Sequence, residues 1–337
     1  MRIVTVDVLN DDALLVRWVA AAVDSGRYEF GDRHSAFSAD EVRAAEGFTT
    51  YRIQRVAALV GDEVVAQGTV NLPMADNRNL TYMTFTVRPA HRRRGIGTLL
   101  LEDLERRARD AGRSVLQVSS QVAAGRADPA VPFAAAHGYA AGRIELRNDL
   151  DITAGGIDRV LAPLEAEAAA MPGAGDYDLL TWWDQVPQEW IDERAKVQAR
   201  MVVDAPSGDL QVAQEVWDAA RMREYFRVVR AQGRHMVETV AVHRPTGSIA
   251  GFTTLSMPAQ TPDLAYQLDT LVVREHRARR LGQLVKAANL RALIDRRPQV
   301  TRVTTWNAEV NAPMLRVNRA MGFAPVGTLT QWQRVLP

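Results

Sequence analysis

The chain has 337 residues, a length that fits roughly two domains, and 47% of them are apolar, enough for two ordinary cores. Its formal net charge is +1, so no global field draws it to nucleic acid or to an acidic membrane surface. Cysteine is absent, which removes disulfides, thiolate metal sites and a cysteine nucleophile; no metal centre is expected.

The start, Met1–Asp7, holds no apolar h-region, and no apolar run nears bilayer length, so a cytoplasmic protein without a membrane partner is expected. Residues 10–25 place apolar groups at helical spacing, and Asp40–Glu46 reads as a second helix start. Tyr51–Val60 and Val64–Leu72 predict a hairpin broken at Gly61-Asp62-Glu63. Leu80–Val87 reads as a strand. Gly97–Ala111 carries Leu99, Leu100, Leu104 and Ala108 along one face and ends at Gly112, the pattern of an amphipathic helix. Ser114–Val122 is the next strand, Pro132–His137 a short helix, and Ala140–Ile152 a returning strand.

The order then repeats. Glu238–Val242 and Ser248–Leu255 predict a hairpin about Pro245-Thr246-Gly247, Tyr266–Val273 a strand, and Leu281–Ile294 a helix stopped before Pro298. Val300–Trp306 reads as a strand and Pro313–Met321 as a helix. Glycine-rich stretches at 154–156 and 171–175 flank an Ala/Glu-rich helix. They suggest a first module over 1–153, a linker over 154–175 and a second module over 176–337. Residues 176–236, with Trp182, Trp183, Trp190 and Trp217, carry no clear signature; packing is the expected role of those tryptophans.

The repeat is explicit in one motif. Phe85-Thr86-Val87-Arg88-Pro89-Ala90-His91-Arg92-Arg93-Arg94-Gly95-Ile96-Gly97 matches Thr270-Leu271-Val272-Val273-Arg274-Glu275-His276-Arg277-Ala278-Arg279-Arg280-Leu281-Gly282 at an offset of 185, and Gly138-Tyr139 matches Gly322-Phe323 at 184. A near-constant offset through strand, loop and helix implies two modules of one fold. In each copy a strand runs into a basic turn and the turn into a helix. The first helical turn leaves N–H groups without intrahelical partners, the peptide dipoles add positive charge, and Gly95 and Gly97 let an anion approach the backbone. Such a turn suits a diphosphate. A P-loop would need Gly-Lys-Ser/Thr, and a dinucleotide fold three glycines and a later acid; neither is present.

The first of these motifs resembles the Arg/Gln-x-x-Gly-x-Gly/Ala acyl-CoA loop of the GNAT superfamily of N-acetyltransferases. Asn311-Ala312-Pro313-Met314 through Met321-Gly322-Phe323 resembles the Asn-containing helix and terminal Gly-Phe of the same family. The tandem layout is similar to mycothiol synthase, although no residue points to mycothiol as substrate. The resemblance implies an α/β fold: two modules, each a twisted mixed sheet flanked by helices, with central strands that splay. It implies acetyl-CoA as cofactor. The loops would be Arg92, Arg93, Arg94, Gly95, Ile96, Gly97 and Thr98 in module one, and Arg277, Arg279, Arg280, Leu281, Gly282 and Gln283 in module two. The strands beside the pantetheine arm would be Phe85, Thr86 and Val87, and Leu271, Val272 and Val273, with Asn311 reaching the cofactor from the second side.

The copies depart from the family differently. Module one has Ala127 and Ala134 where the family places an Asn and a proton-donating Tyr; module two has Asn311 and Asn318 there, and Arg280 in place of the first loop glycine. Arg280 is therefore expected to stay at φ < 0 or to bear strain. The better-kept second half favours module two as the catalytic one, whereas the intact loop favours module one. Candidate catalytic groups are Tyr266, Asp269 and Asn318, with Tyr266 and Asp269 on opposite faces by strand alternation; His243 and His276 are possible relays. The expected activity is transfer of acetyl from acetyl-CoA to a primary amine of a small molecule, by direct attack and with no covalent enzyme intermediate, in a monomer or homodimer. The alternative is a catalytically inactive acyl-CoA-binding sensor or scaffold. Protein N-terminal or lysine acetylation is a weaker option, since no docking tail or charged groove is evident.

Overall fold

The computed structural model describes residues 1–152, 156–204 and 208–336, apart from the side chains of residues 202 and 203. Packing divides the chain into two compact units. Unit one is Met1–Ile144, Gly208–Ala213 and Gly327–Pro337; unit two is Glu145–Ser207 and Gln214–Val326. Each unit is a mixed sheet with helices against it, as the repeat implies.

Strand β1 (Arg2–Thr5) precedes helices α1 (Asp12–Phe30) and α2 (Ala39–Ala44). Strands β2 (Tyr51–Val60), β3 (Glu63–Pro73) and β4 (Leu80–Val87) follow, then α3 (Ile96–Asp110), β5 (Val115–Ala123), α4 (Ala130–Ala136) and β6 (Ala140–Asp151). Next come α5 (Asp158–Ala169), β7 (Tyr177–Trp183), α6 (Ile191–Ala199), α7 (Met201–Asp204), α8 (Ala219–Ala231), β8 (Arg234–His243) and β9 (Ser248–Pro258). The chain ends with β10 (Leu264–Val272), α9 (Leu281–Arg296), β11 (Arg302–Ala308), α10 (Ala312–Ala320) and β12 (Ala324–Val335).

In unit one the strands run in the order β1-β2-β3-β4-β5-β12, with β4 and β5 parallel and the other pairs antiparallel. Val56 and Ala58 join the core that holds Leu100 and Leu104, while Ala57 and Leu59 join the one that holds Leu15 and Trp18. A strand covered on both faces reads as an unbroken apolar run, which is why Val56–Val60 shows no alternation. In unit two the order is β6-β11-β10-β9-β8-β7, and β10 and β11 form the parallel pair.

The units draw on both sides of the expected boundaries at 153 and 176. Gly327–Val335, from the end of the second repeat, pair with β5 and complete unit one's sheet. Glu145–Asp151, from the end of the first, pair with β11 and complete unit two's. A strand pattern specifies which face is apolar, not which neighbour it joins, so this exchange leaves no mark in the sequence. The expected linker holds α5, whose Leu161 and Leu164 are buried in unit two's core; residues 153–155 lie outside the described residues.

Unit two's core also contains Lys286, 2% exposed, with its ammonium 5.4 Å from the Phe323 ring centroid. Burial pulls its pKa down from 10.5 to about 7. Between those values the unfolded chain holds a proton that the folded chain does not, so this group destabilises the fold most near and below neutrality, and less as pH rises toward 10.5. Lys286→Met is expected to raise stability at pH 7 by ~2–4 kcal/mol. Thermal melts should show the gap between variant and wild type narrowing from pH 7 to 9.5; a gap independent of pH would contradict the argument.

Candidate active site

Both basic turns have one backbone path. Arg93 and Gly95 are left-handed, at φ 61° and 78°, and so are their counterparts Ala278 and Arg280, at 62° and 57°. The first α-type bonds of the following helices run from Leu99 to the Gly95 carbonyl and from Leu284 to the Arg280 carbonyl. The N–H groups of Ile96, Gly97 and Thr98, and of Leu281, Gly282 and Gln283, thus have no carbonyl four residues back to bond. Alternating left-handed residues ahead of a helix turn such amides toward one point, an anion-binding concavity. These residues fit a diphosphate.

Arg280 takes the left-handed conformation despite its Cβ, at a cost of about 1–2 kcal/mol. Its guanidinium is held by Glu167 at 2.5 Å and by Gln283 at 3.3 Å. Of the strained alternative and φ < 0, the chain adopts the first. Gly282 itself leaves room: a Cβ there would lie 3.5 Å from Val272 Cγ2, ordinary contact. Gly282→Glu is therefore expected to fold while placing a carboxylate at the anion site. Acetyl-CoA affinity at unit two, read by calorimetry, should fall at least tenfold, and an unchanged affinity would remove this loop as a ligand.

Two predicted loop arginines act on the protein itself. Arg92 Nε donates to the Val87 carbonyl at 3.1 Å, and Arg277 Nε donates to the Val272 carbonyl at 3.1 Å. Arg92 also pairs with Glu29 and lies over the Tyr28 ring. Both side chains strap the loop to the end of its strand, so their backbones, not their guanidinium groups, are the fitting anion contacts. Arg279 donates to the Tyr177 hydroxyl at 3.3 Å. Arg93 and Arg94 are exposed. Asn311 caps α10, its side-chain oxygen accepting from the Met314 N–H.

Next to each loop the parallel strands part. In unit one β4 and β5 are paired only over Leu80–Met83, and in unit two β10 and β11 only over Leu264–Gln267. The two clefts differ. Strand β4 keeps its register with β3 from Tyr82 to Val87, and Phe85, Phe133 and His137 pack in succession, with centroids 5.9 and 4.3 Å apart. A Cβ on Gly97 would touch the Phe133 ring, so that aromatic group lies against the start of α3. Strand β10 instead breaks register with β9 between Gln267 and Thr270, a bulge at Leu268 and Asp269.

That bulge opens onto a cavity of about 170 Å³ in unit two, lined by Arg194, Gln198, Trp217, Tyr225, Leu268 and Asp269 among others. Beneath it lies a buried ion pair: Glu238, 1% exposed, accepts from Arg194 Nε and Nη2 at 2.9 Å each, from the Trp182 indole and from the Thr254 hydroxyl. Arg194 Nη1 donates to Gln198 Oε1 at 2.9 Å, and Gln198 Nε2 donates to Asp269 Oδ2 at 3.0 Å. Desolvation first, then the charges of Asp269 and Glu238, push the Tyr225 phenol well above its ordinary pKa, so it stays protonated.

Of the predicted catalytic groups, Asp269 alone lines this cavity. Tyr266 is buried in the paired part of the strand, stacked on Trp306 at 5.9 Å. Its expected placement opposite to Asp269 fails for a physical reason. In a bulge two residues share one register position, so Leu268 and Asp269 both oppose Thr254, on the face that also carries Tyr266's partner Ser256. Asn318, 1% exposed, donates to Asn307 Oδ1, while its own Oδ1 is buried without a partner. His276 bonds Tyr177 at 2.9 Å and packs at a tilt against His243, with ring centroids 4.7 Å apart; burial, His243 and Arg279 lower its pKa. Neither histidine lines the cavity. Sequence reasoning missed Arg194, Gln198, Trp217, Tyr225 and Glu238. The available signal was Asp218 as a helix cap ahead of Met222, Phe226 and Val229 at spacings of four and three.

Comparison with known proteins agrees with this fold. The family model described as "Acetyltransferase (GNAT) family" matches residues 22–139. A tandem GNAT protein from the clavulanic acid biosynthesis pathway has 26% identity and a TM-score of 0.79, with 99% of this chain and 98% of that one covered. A GCN5-related N-acetyltransferase from Sphaerobacter thermophilus has 18% identity and a TM-score of 0.64, covering 99% and 95%, and shares the fold. A GCN5-related glucosamine N-acetyltransferase region of a fungal multi-domain β-N-acetylglucosaminidase shares it at 12% identity and a TM-score of 0.62, over 38% of that chain. No curated protein matches. No helix among the described residues is long and apolar enough to cross a membrane.

Proposed function

Because the chain is a tandem member of the GNAT superfamily of acetyltransferases, we propose that unit two transfers acetyl from acetyl-CoA to a primary amine of a small molecule, with Asp269 as the base. The observation that carries this reading is the bulge at Leu268–Asp269. It coincides with the parting of β10 from β11 and with a cavity that ends on a carboxylate. Unit one has the anion loop without the bulge.

Acetyl-CoA supplies the activated acyl group. The chain's own residues do the rest. Amides at the start of α9 would hold the diphosphate. Asp269 pairs with the ammonium of the acceptor and takes its proton, since an ammonium has no lone pair with which to attack. The bulge leaves the backbone of Leu268 and Asp269 out of the ladder, providing donors for a carbonyl oxygen as charge develops there. Asn318 stands where the family places a proton donor, and an amide cannot give up a proton. The second proton of the amine therefore goes to the departing thiolate directly or through water, and Asp269 returns the first to solvent. No covalent enzyme intermediate is needed.

A thiol-release assay against a panel of amines tests this reading. Turnover that is lost in Asp269→Asn supports it. Acetyl-CoA binding with no turnover on any amine would instead favour the sensor or scaffold reading, which the replacement of the tyrosine by Asn318 motivates.

A further inference from the structure

The cavity's lining is more specific than its acceptance of an amine. Its two buried charges cancel: both oxygens of Glu238 accept hydrogen bonds, and Nε, Nη1 and Nη2 of Arg194 all donate within the protein. The Arg194 guanidinium also lies over the Phe252 ring at 3.5 Å. Glu238 already neutralises the Arg194 guanidinium, so the floor offers no unpaired charge to a second charge on the ligand. Met222, Met236 and Leu268 with Trp217 and Tyr225 make most of the remaining wall. The volume, about 170 Å³, falls below the ~300–1,000 Å³ of drug-sized sites.

We propose that this cavity selects a compact, singly cationic primary amine with an apolar body, and that Gln198 is the positioning residue that aims Asp269 at its ammonium. The inference rests on the acetyl-transfer reading and specifies its acceptor. An amino acid brings a carboxylate with no free cation to meet it. A polyamine brings a second ammonium into the apolar wall, where an unpaired charge is costly. An aminoglycoside or amino sugar brings hydroxyl groups that the apolar wall cannot satisfy.

Gln198 is the one lining residue that joins the buried pair to the carboxylate. It accepts from Arg194 and donates to Asp269 Oδ2, so the amide cannot rotate without losing a charge-assisted bond at one end or the other. Oδ1 of Asp269 is left for the acceptor. Through this chain the rigidity of the Arg194–Glu238 pair reaches an exposed side chain that would otherwise sample several rotamers.

The test is calorimetric titration of the full chain loaded with CoA, which carries no acyl group to transfer, with 2-phenylethylamine, glycine, spermidine and glucosamine, in wild type and in Gln198→Met. Methionine keeps the length and removes both hydrogen bonds. Acetyl-CoA affinity, expected to be unchanged in the variant, serves as the control for folding; Gln198→Leu is the second variant should the methionine form fail it. 2-Phenylethylamine is expected to bind at least tenfold tighter than the other three, and Gln198→Met to weaken it about tenfold. In turnover the variant should raise KM for the amine about tenfold while KM for acetyl-CoA holds. Equal or tighter binding of glycine, spermidine or glucosamine overturns the proposal, and so does an unmoved amine affinity in both variants. Selective binding of 2-phenylethylamine without its acetylation would sink the acetyl-transfer reading while leaving the cavity's selectivity standing.

Discussion

Asp269→Asn is expected to lower kcat for amine acetylation by about 10²–10⁴-fold, the usual contribution of a general base, with KM for acetyl-CoA unchanged. Asparagine keeps the side chain's shape. Its carbonyl oxygen can still accept from Gln198, so the local packing has no reason to change. What is lost is the negative charge that pairs with the ammonium and the site that receives its proton. The residual rate comes from holding the two reactants together, which this substitution does not touch. Steady-state kinetics with both substrates varied separates the outcomes. A fall in kcat supports the assignment. A rise in amine KM alone would make Asp269 a binding group, and a rate within a few-fold of wild type would move the base elsewhere.

Ending the chain at Val326 is expected to leave unit one unfolded. The missing segment pairs along β5 from Val115 to Ala123. It also carries Trp332, 7% exposed, whose indole donates to Ser120 at 2.9 Å. Arg334 donates to Glu105 at 3.1 Å and to the His137 carbonyl at 3.2 Å. Glu105 is 5% exposed and otherwise holds Tyr139 at 3.0 Å and Arg109 at 2.9 Å. Loss of a buried Trp costs about 3–5 kcal/mol, and a buried carboxylate that keeps Arg109 but loses Arg334 forfeits a charge-assisted hydrogen bond, a further ~1.5–3. Together these approach or exceed the whole stability of a typical domain, about 5–15 kcal/mol. Amide exchange resolved along β4 and β5 reads the result directly. Protection equal to that of the full chain would mean that the strand only decorates the sheet.

The features legible in the sequence were those that force a particular residue type or spacing. The diphosphate turn needs left-handed positions ahead of a helix, and Gly95 announces one. The 185-residue offset then located the second turn even though Arg280 hides it, and the same offset appears in the backbone angles. Arg280 itself was not legible, because the pairing with Glu167 that holds its guanidinium comes from a helix more than a hundred residues away in sequence.

The bulge was hidden for a different reason. Strand alternation counts residues, and an inserted residue resets the count; Tyr266 and Asp269 were therefore assigned to opposite faces. The cavity floor was harder still. Arg194 lies in a segment without a clear signature and Glu238 opens a predicted strand, and each is buried only because the other is there. Such a pair is a property of the fold and has no local signature. The exchange of β6 and β12 is likewise a choice of partner, which an apolar pattern leaves open.

The central claim is that acyl transfer takes place in unit two, where β10 bulges and parts from β11. A crystal structure of the full chain soaked with acetyl-CoA tests it most directly. The account predicts the diphosphate against the first turn of α9 and the thioester beside Leu268 and Asp269, opening onto the cavity. A saturated crystal with acetyl-CoA in unit one alone, its thioester facing an acceptor cleft there, would contradict it.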